Sequence, residues 1–105
     1  MAQDVLVVLV TCPPGKAEPL AGRLVEERLA ACVNLIPQVR SVYRWKGAVQ
    51  RDDETLLLVK TTQDRFAALK DFVLKNHPYE VPEVIALPVS AGHAPYLEWV
   101  VESTR

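Results

Sequence analysis

Two residue types here can bind soft metals or attack electrophiles, and each occurs twice: Cys12 and Cys32, His77 and His93. Thiolate and imidazole together suit copper or zinc. A thiol beside an imidazole can also form a nucleophilic dyad, but that chemistry needs an orienting third group and an oxyanion hole. Neither is legible, so no catalytic residue is assigned and no enzyme activity is expected. His77 opens the run His77-Pro78-Tyr79-Glu80-Val81-Pro82-Glu83, which makes Glu80 and Glu83 the hard oxygen ligands nearest to it. Gly15 stands alone after Pro13-Pro14, so no phosphate-cradling loop is present and no organic cofactor is expected.

Whether Cys12 and His77 meet depends on the elements between them. Residues 5–11 are apolar and β-branched and read as a buried strand. Leu20, Leu24 and Val25, set against Glu18, Arg23, Glu26 and Glu27, predict an amphipathic helix over residues 16–31. Residues 32–36 begin a second strand, which Pro37 interrupts with an edge position or a bulge. Beyond it Val39, Ser41, Tyr43 and Trp45 alternate with Arg40, Val42, Arg44 and Lys46, the period of an extended strand. Lys46-Gly47 turns the chain, residues 50–53 read as irregular, and residues 55–59 form a third strand. Thr61 and Asp64 have the spacing of a capping box for a second helix with Phe66, Leu69, Phe72 and Val73 on its apolar face. Asn76 is the expected left-handed cap, and Pro78 stops continuation. Residues 84–87 form a fourth strand. Pro95 opens a last short helix lined by Tyr96, Leu97, Val100 and Val101.

The order predicts a single α+β domain over residues 1–105. It is a ferredoxin-like βαββαβ sandwich with a C-terminal helix, an extended hairpin between its second and third strands, and helices over one sheet face. Following the chain up and down, Cys12, His77, Glu80 and Glu83 fall on one edge of the sheet, Cys32 and His93 on the other. A strand of about eight residues spans roughly 26 Å. Cys12 and Cys32 are therefore too far apart to bridge, since a disulfide needs Cα atoms within about 7 Å. Cys12 and His77 form half a metal site, to be completed by Glu80, Glu83 or a neighbouring subunit. The blander alternative is a small strand-end residue and a helix-ending histidine. Tyr43 and Trp45 share a face and serve either packing or half of a ligand pocket at an interface.

Net charge is -1, without the basic excess of a nucleic-acid binder. No apolar run approaches the roughly 20 residues that span a bilayer. Asp4 stands where a signal peptide would be basic. The expected location is therefore cytoplasmic, and the two cysteines are read as free thiols there. Half of the residues are hydrophobic. Residues 5–10 and 56–59 are apolar on both alternating faces, so both sheet faces want to leave water. The helices cover one; further copies of the chain are expected to cover the other. Other uses of this fold leave traces that are missing. The central strands carry no aromatic residues for stacking RNA bases, Cys12 has no Cys-x-x-Cys partner, and residues 11–15 contain no arginine for an anion loop.

The long runs Glu27-Arg28-Leu29-Ala30-Ala31-Cys32-Val33-Asn34-Leu35-Ile36-Pro37, Ser41-Val42-Tyr43-Arg44-Trp45-Lys46-Gly47 and Leu58-Val59-Lys60-Thr61-Thr62 occur in order, followed by the His77–Glu83 run. Ala86-Leu87-Pro88-Val89 and Tyr96-Leu97-Glu98-Trp99 complete a pattern that resembles the CutA divalent-cation tolerance proteins over nearly the whole chain. The resemblance implies a tight homotrimer, similar in architecture to the PII signalling proteins. It also implies a cytoplasmic role in tolerance of copper and other divalent metals, without established enzyme activity. In family members reported to bind copper, a cysteine precedes the threonine ending the first strand and paired histidines precede Pro-Tyr. Here these positions are Val10 before Thr11, and Asn76-His77 before Pro78-Tyr79. Only His77 is retained, with Cys12 two residues beyond and on the strand face of Val10. The expectation is weak or transient metal binding through His77 with Cys12, Glu80 or Glu83. The alternative is a trimeric signalling or scaffold module that takes a small effector or protein at a subunit cleft near Lys60, Tyr79 and Trp45.

Overall fold

The computed structural model describes residues 4–105. The reading of residues 1–3 as part of a non-basic N-terminus lies outside them. The elements are β1 (Val5–Cys12), α1 (Pro14–Glu26), β2 (Cys32–Trp45), β3 (Ala48–Thr62), α2 (Gln63–Asn76), β4 (Ile85–Pro88) and α3 (Ala94–Ser103). This is a mixed α+β fold with one four-stranded sheet in the order β2-β3-β1-β4. All three strand pairings are antiparallel.

Strand alternation sorts β1 between two environments. Leu6, Val8, Val10 and Cys12 face the main core with Leu57 and Val59 of β3, Leu24 of α1, and Leu69 and Val73 of α2. The register pairs Val8 with Val59 and Val10 with Leu57, so these side chains share a face. On the opposite face Val7, Leu9, Leu56 and Leu58 are only half-buried, and Ile85 and Leu87 of β4 are each 50% exposed. The helices are not confined to one face, as the sequence suggested. Val5 leaves the main core and joins Ala31 and Val100 of α3 in a second small cluster. α3 thus shields one end of the second face.

Four local readings are corrected. α1 stops at Glu26 rather than near residue 31. Arg28 enters the left-handed region at φ 58°, while Leu29 N–H donates to Leu24 C=O (2.9 Å) and Arg28 N–H to Val25 C=O (3.1 Å). This is a Schellman ending with arginine where glycine is usual. The expected irregular stretch at residues 50–53 is regular strand, part of a β3 that runs unbroken from Ala48 to Thr62. The capping box does not form: Thr61 donates its hydroxyl to Leu29 C=O (2.7 Å) instead. Asn76 is the last helical residue rather than a left-handed cap, and its side chain bonds Phe72 C=O (2.8 Å) and accepts from Arg23 (3.0 Å).

Pro37 behaves as read. β2 is an edge strand, and the ladder shifts between Ile36 and Val39 with Gln38 at φ 61°. Beyond this bulge, β2 and β3 continue as an arm closed by Lys46 (φ 50°) and Gly47 (φ 81°). Positive φ at both central residues is the type I′ hairpin turn, whose twist suits the flanking strands. The arm makes the chain elongated, 46 × 25 × 22 Å.

Candidate functional site

Pro78 bars its predecessor from the helical region, so His77 leaves α2 in an extended conformation (φ -98°, ψ 138°). This carries the ring, 9% exposed, against the end of β1. Nε2 lies 2.7 Å from Thr11 C=O, and Tyr79 N–H donates to Nδ1 (3.1 Å). A carbonyl only accepts and a backbone N–H only donates, so the proton sits on Nε2 and the Nδ1 lone pair is taken. His77 therefore ties the end of α2 to the end of β1, with no lone pair presented to a metal.

Cys12 is at the same edge, as expected from topology, but its side chain is 0% exposed and points into the main core. Burial, and secondarily the charge of Glu54, push its thiol up to about 11. It is a protonated core thiol at neutral pH. Cys12 pairs with Thr55 and Cys32 with Lys60 along β3, and both cysteines are free. His93 is exposed and N-caps α3. Glu80 and Glu83 are exposed on the segment after His77. Among the described residues no group of three or more His, Cys, Asp or Glu side chains is close enough to hold a metal ion. The four sequence-selected ligands thus share an edge without converging into a metal site: Cys12 faces the core, His77 is engaged, and the two glutamates are exposed.

What does converge is a cleft of about 660 Å³ between the arm and the segment after His77. Tyr43 and Trp45 of β2 line it, with Tyr79, Glu80 and Glu83 across from them. Glu54 of β3 also lines it, only 5% exposed. Tyr79 donates its hydroxyl to Glu54 Oε2 (2.7 Å), and Tyr43 donates to Asp52. Both phenols are pushed up from their usual value. For Tyr79 the causes are burial, then the Glu54 hydrogen bond and the Glu54 and Asp52 charges. For Tyr43 the Asp52 hydrogen bond leads. Three carboxylates line the cleft, and the charges of Glu54 and Asp52 act on both phenols.

Tyr79 and Trp45, two of the residues selected for a ligand cleft, are brought together here. Lys60 is not: it sits further along β3, bonded to Asn34. Glu54 went unrecognised in the sequence. The signal was available, because a two-residue turn at Lys46-Gly47 counts back to place Glu54 opposite Val39, on the face of Ser41, Tyr43 and Trp45. The supposed irregularity at residues 50–53 broke that count.

Residues 6–103 match the family model described as CutA1 divalent ion tolerance protein. The chain is 54% identical over 103 residues to human Protein CutA, covering 97% of this chain and 58% of that protein. It therefore spans little more than half the length of that relative. It is also 54% identical over 99 residues to the Divalent-cation tolerance protein CutA of Thermus thermophilus, covering 93% of this chain and 96% of that one. Among solved structures, CutA1 from Oryza sativa superposes with a TM-score of 0.95 at 49% identity, covering 98% of this chain and 95% of that one.

Proposed function

Because the chain belongs to the CutA1 divalent ion tolerance family, we propose that it works in divalent-cation tolerance as a homotrimeric, non-catalytic binding protein. The family match over residues 6–103 is the observation that carries this reading. The half-exposed apolar face of the sheet supports the oligomer, since Ile85 and Leu87, paired with Leu9 and Val7, are each 50% exposed.

The divalent cation, copper or zinc, is cargo met weakly and in fast exchange. Its contacts are the exposed carboxylates Glu80 and Glu83, hard oxygen ligands that hold such metals only loosely. His77 joins only by giving up its Tyr79 N–H bond, and Cys12 only by leaving the core. Calorimetric titration of Cu(II) and Zn(II) tests this, with solution mass measured in parallel. The Glu80→Gln/Glu83→Gln variant is expected to lose binding at least about fivefold, while His77→Ala/Cys12→Ser loses little. Binding abolished by the second variant and unaffected by the first would return the site to the soft pair. No binding by the parent protein would overturn direct metal contact.

A further inference from the structure

The cleft beside His77 carries more than exposed carboxylates. Three aromatic rings and three carboxylates line it, and no lysine or arginine does. Its innermost carboxylate, Glu54, is buried yet has no ion pair among the described residues, where the pairs are Arg40–Asp53 and Glu102–Arg105. One oxygen accepts from Tyr79. The other has no hydrogen-bond partner among the described residues and is not sealed inside protein, so it opens to the cleft. A desolvated carboxylate without a cation is costly, and a cation placed against it recovers that cost.

The lining distinguishes between kinds of cation. Mg²⁺ and Ca²⁺ need six or more oxygen ligands, and the described carboxylates do not converge into a metal-sized group. The remaining wall is Val42, Pro78 and Val81 with the rings of Tyr43, Trp45 and Tyr79, interrupted by Thr11 and Ser41, a mixed surface with carbon enough for an apolar body. Aromatic faces also attract cations, and Lys46 Nζ already stands 5.7 Å from the Trp45 ring centroid. The volume, about 660 Å³, is that of a small-molecule site.

We propose that this cleft binds a monovalent organic ammonium ion with an apolar or aromatic body, its nitrogen held by Glu54 beside Tyr79 and its body lying on Tyr43, Trp45 and Val81. The proposal shares a cleft with the divalent-cation reading, whose Glu80 and Glu83 also line it, but places its charge on Glu54. The competing occupant is a basic side chain of a second copy. By the ladder register, Arg44 and Arg51 lie on the arm face opposite Tyr43 and Trp45 and present such charge to a neighbour.

The test is calorimetric titration of the intact protein, in buffer containing a metal chelator, with 2-phenylethylammonium and its neutral analogue 2-phenylethanol. Expected are saturable binding of the ammonium at one per chain and at least about tenfold weaker binding of the alcohol, the scale of a charge-assisted contact. Glu54→Gln, checked for fold by circular dichroism, should weaken ammonium binding by a similar factor. Trp45→Leu, on the arm, should weaken it without disturbing the core. No saturable binding, or equal binding of ammonium and alcohol, overturns the proposal. So does binding that appears only in Arg44→Ala or Arg51→Ala, because the cleft would then hold an arginine from a neighbouring copy. The chelator makes these outcomes independent of the metal titration.

Discussion

Cys12 and His77 are held away from chemistry by the groups around them. The Cys12 thiol sits at about 11, so at pH 8 only about a thousandth of it is thiolate, the nucleophilic form. Native protein treated with iodoacetamide at pH 8 should label half-buried Cys32 first, with Cys12 at least about a hundredfold slower. Mass mapping of the alkylated peptides reads both rates; equal rates would mean that the core does not protect Cys12. The pH sign follows from the protonated form being the folded-state preference. The thiol's contribution to stability is complete below about 9 and fades as pH rises toward about 11. That both residues sit at one edge was legible from element order. What they do there was not, because strand alternation turns Cys12 inward and two backbone groups occupy the imidazole.

At the scale of elements, the end of α1 is the clearest departure from pattern. Leu29, Ala30 and Ala31 continue a helical apolar rhythm, and the sequence offers no glycine to break it. The break comes from Arg28, whose left-handed φ of 58° lets Leu29 and Ala30 turn into the core behind Leu24. A non-glycine residue there carries strain of about 1 kcal/mol. Glycine removes the strain and adds unfolded-state freedom. Arg28→Gly should therefore raise unfolding free energy by a net ~0.5 kcal/mol. Urea denaturation measures it, and a loss of stability would show that the arginine side chain does more than its long 3.5 Å contact with the Arg105 carbonyl suggests. The arm shows the converse case. Its alternation and its Lys46-Gly47 turn were readable, and the continuous ladder from Ala48 onward follows from that turn.

At the scale of the whole molecule, the question is what covers the second face of the sheet. In a single chain Leu87 is 50% exposed, so Leu87→Lys should change the stability of an isolated chain by no more than about 0.5 kcal/mol. In the proposed trimer the same substitution buries an unpaired ammonium and should shift the solution mass toward a single chain of 11.7 kDa. Sedimentation of the two proteins decides between these outcomes. An unchanged oligomer would remove this face from the interface.

The order of elements, the central pair of strands, the bulge at Pro37 and the apolar excess on both sheet faces were all determined by residue type and spacing. Each depends on period, β-branching, proline geometry or charge count, which are local quantities. The long shared motifs carried the family as well. Tertiary structure alone decided that Glu54 is buried and faces Tyr79, that His77 spends both nitrogens on the backbone, and that Arg28 rather than a glycine ends α1. These depend on which groups residues far apart in the chain bring within bonding distance, and a one-dimensional pattern does not encode those distances.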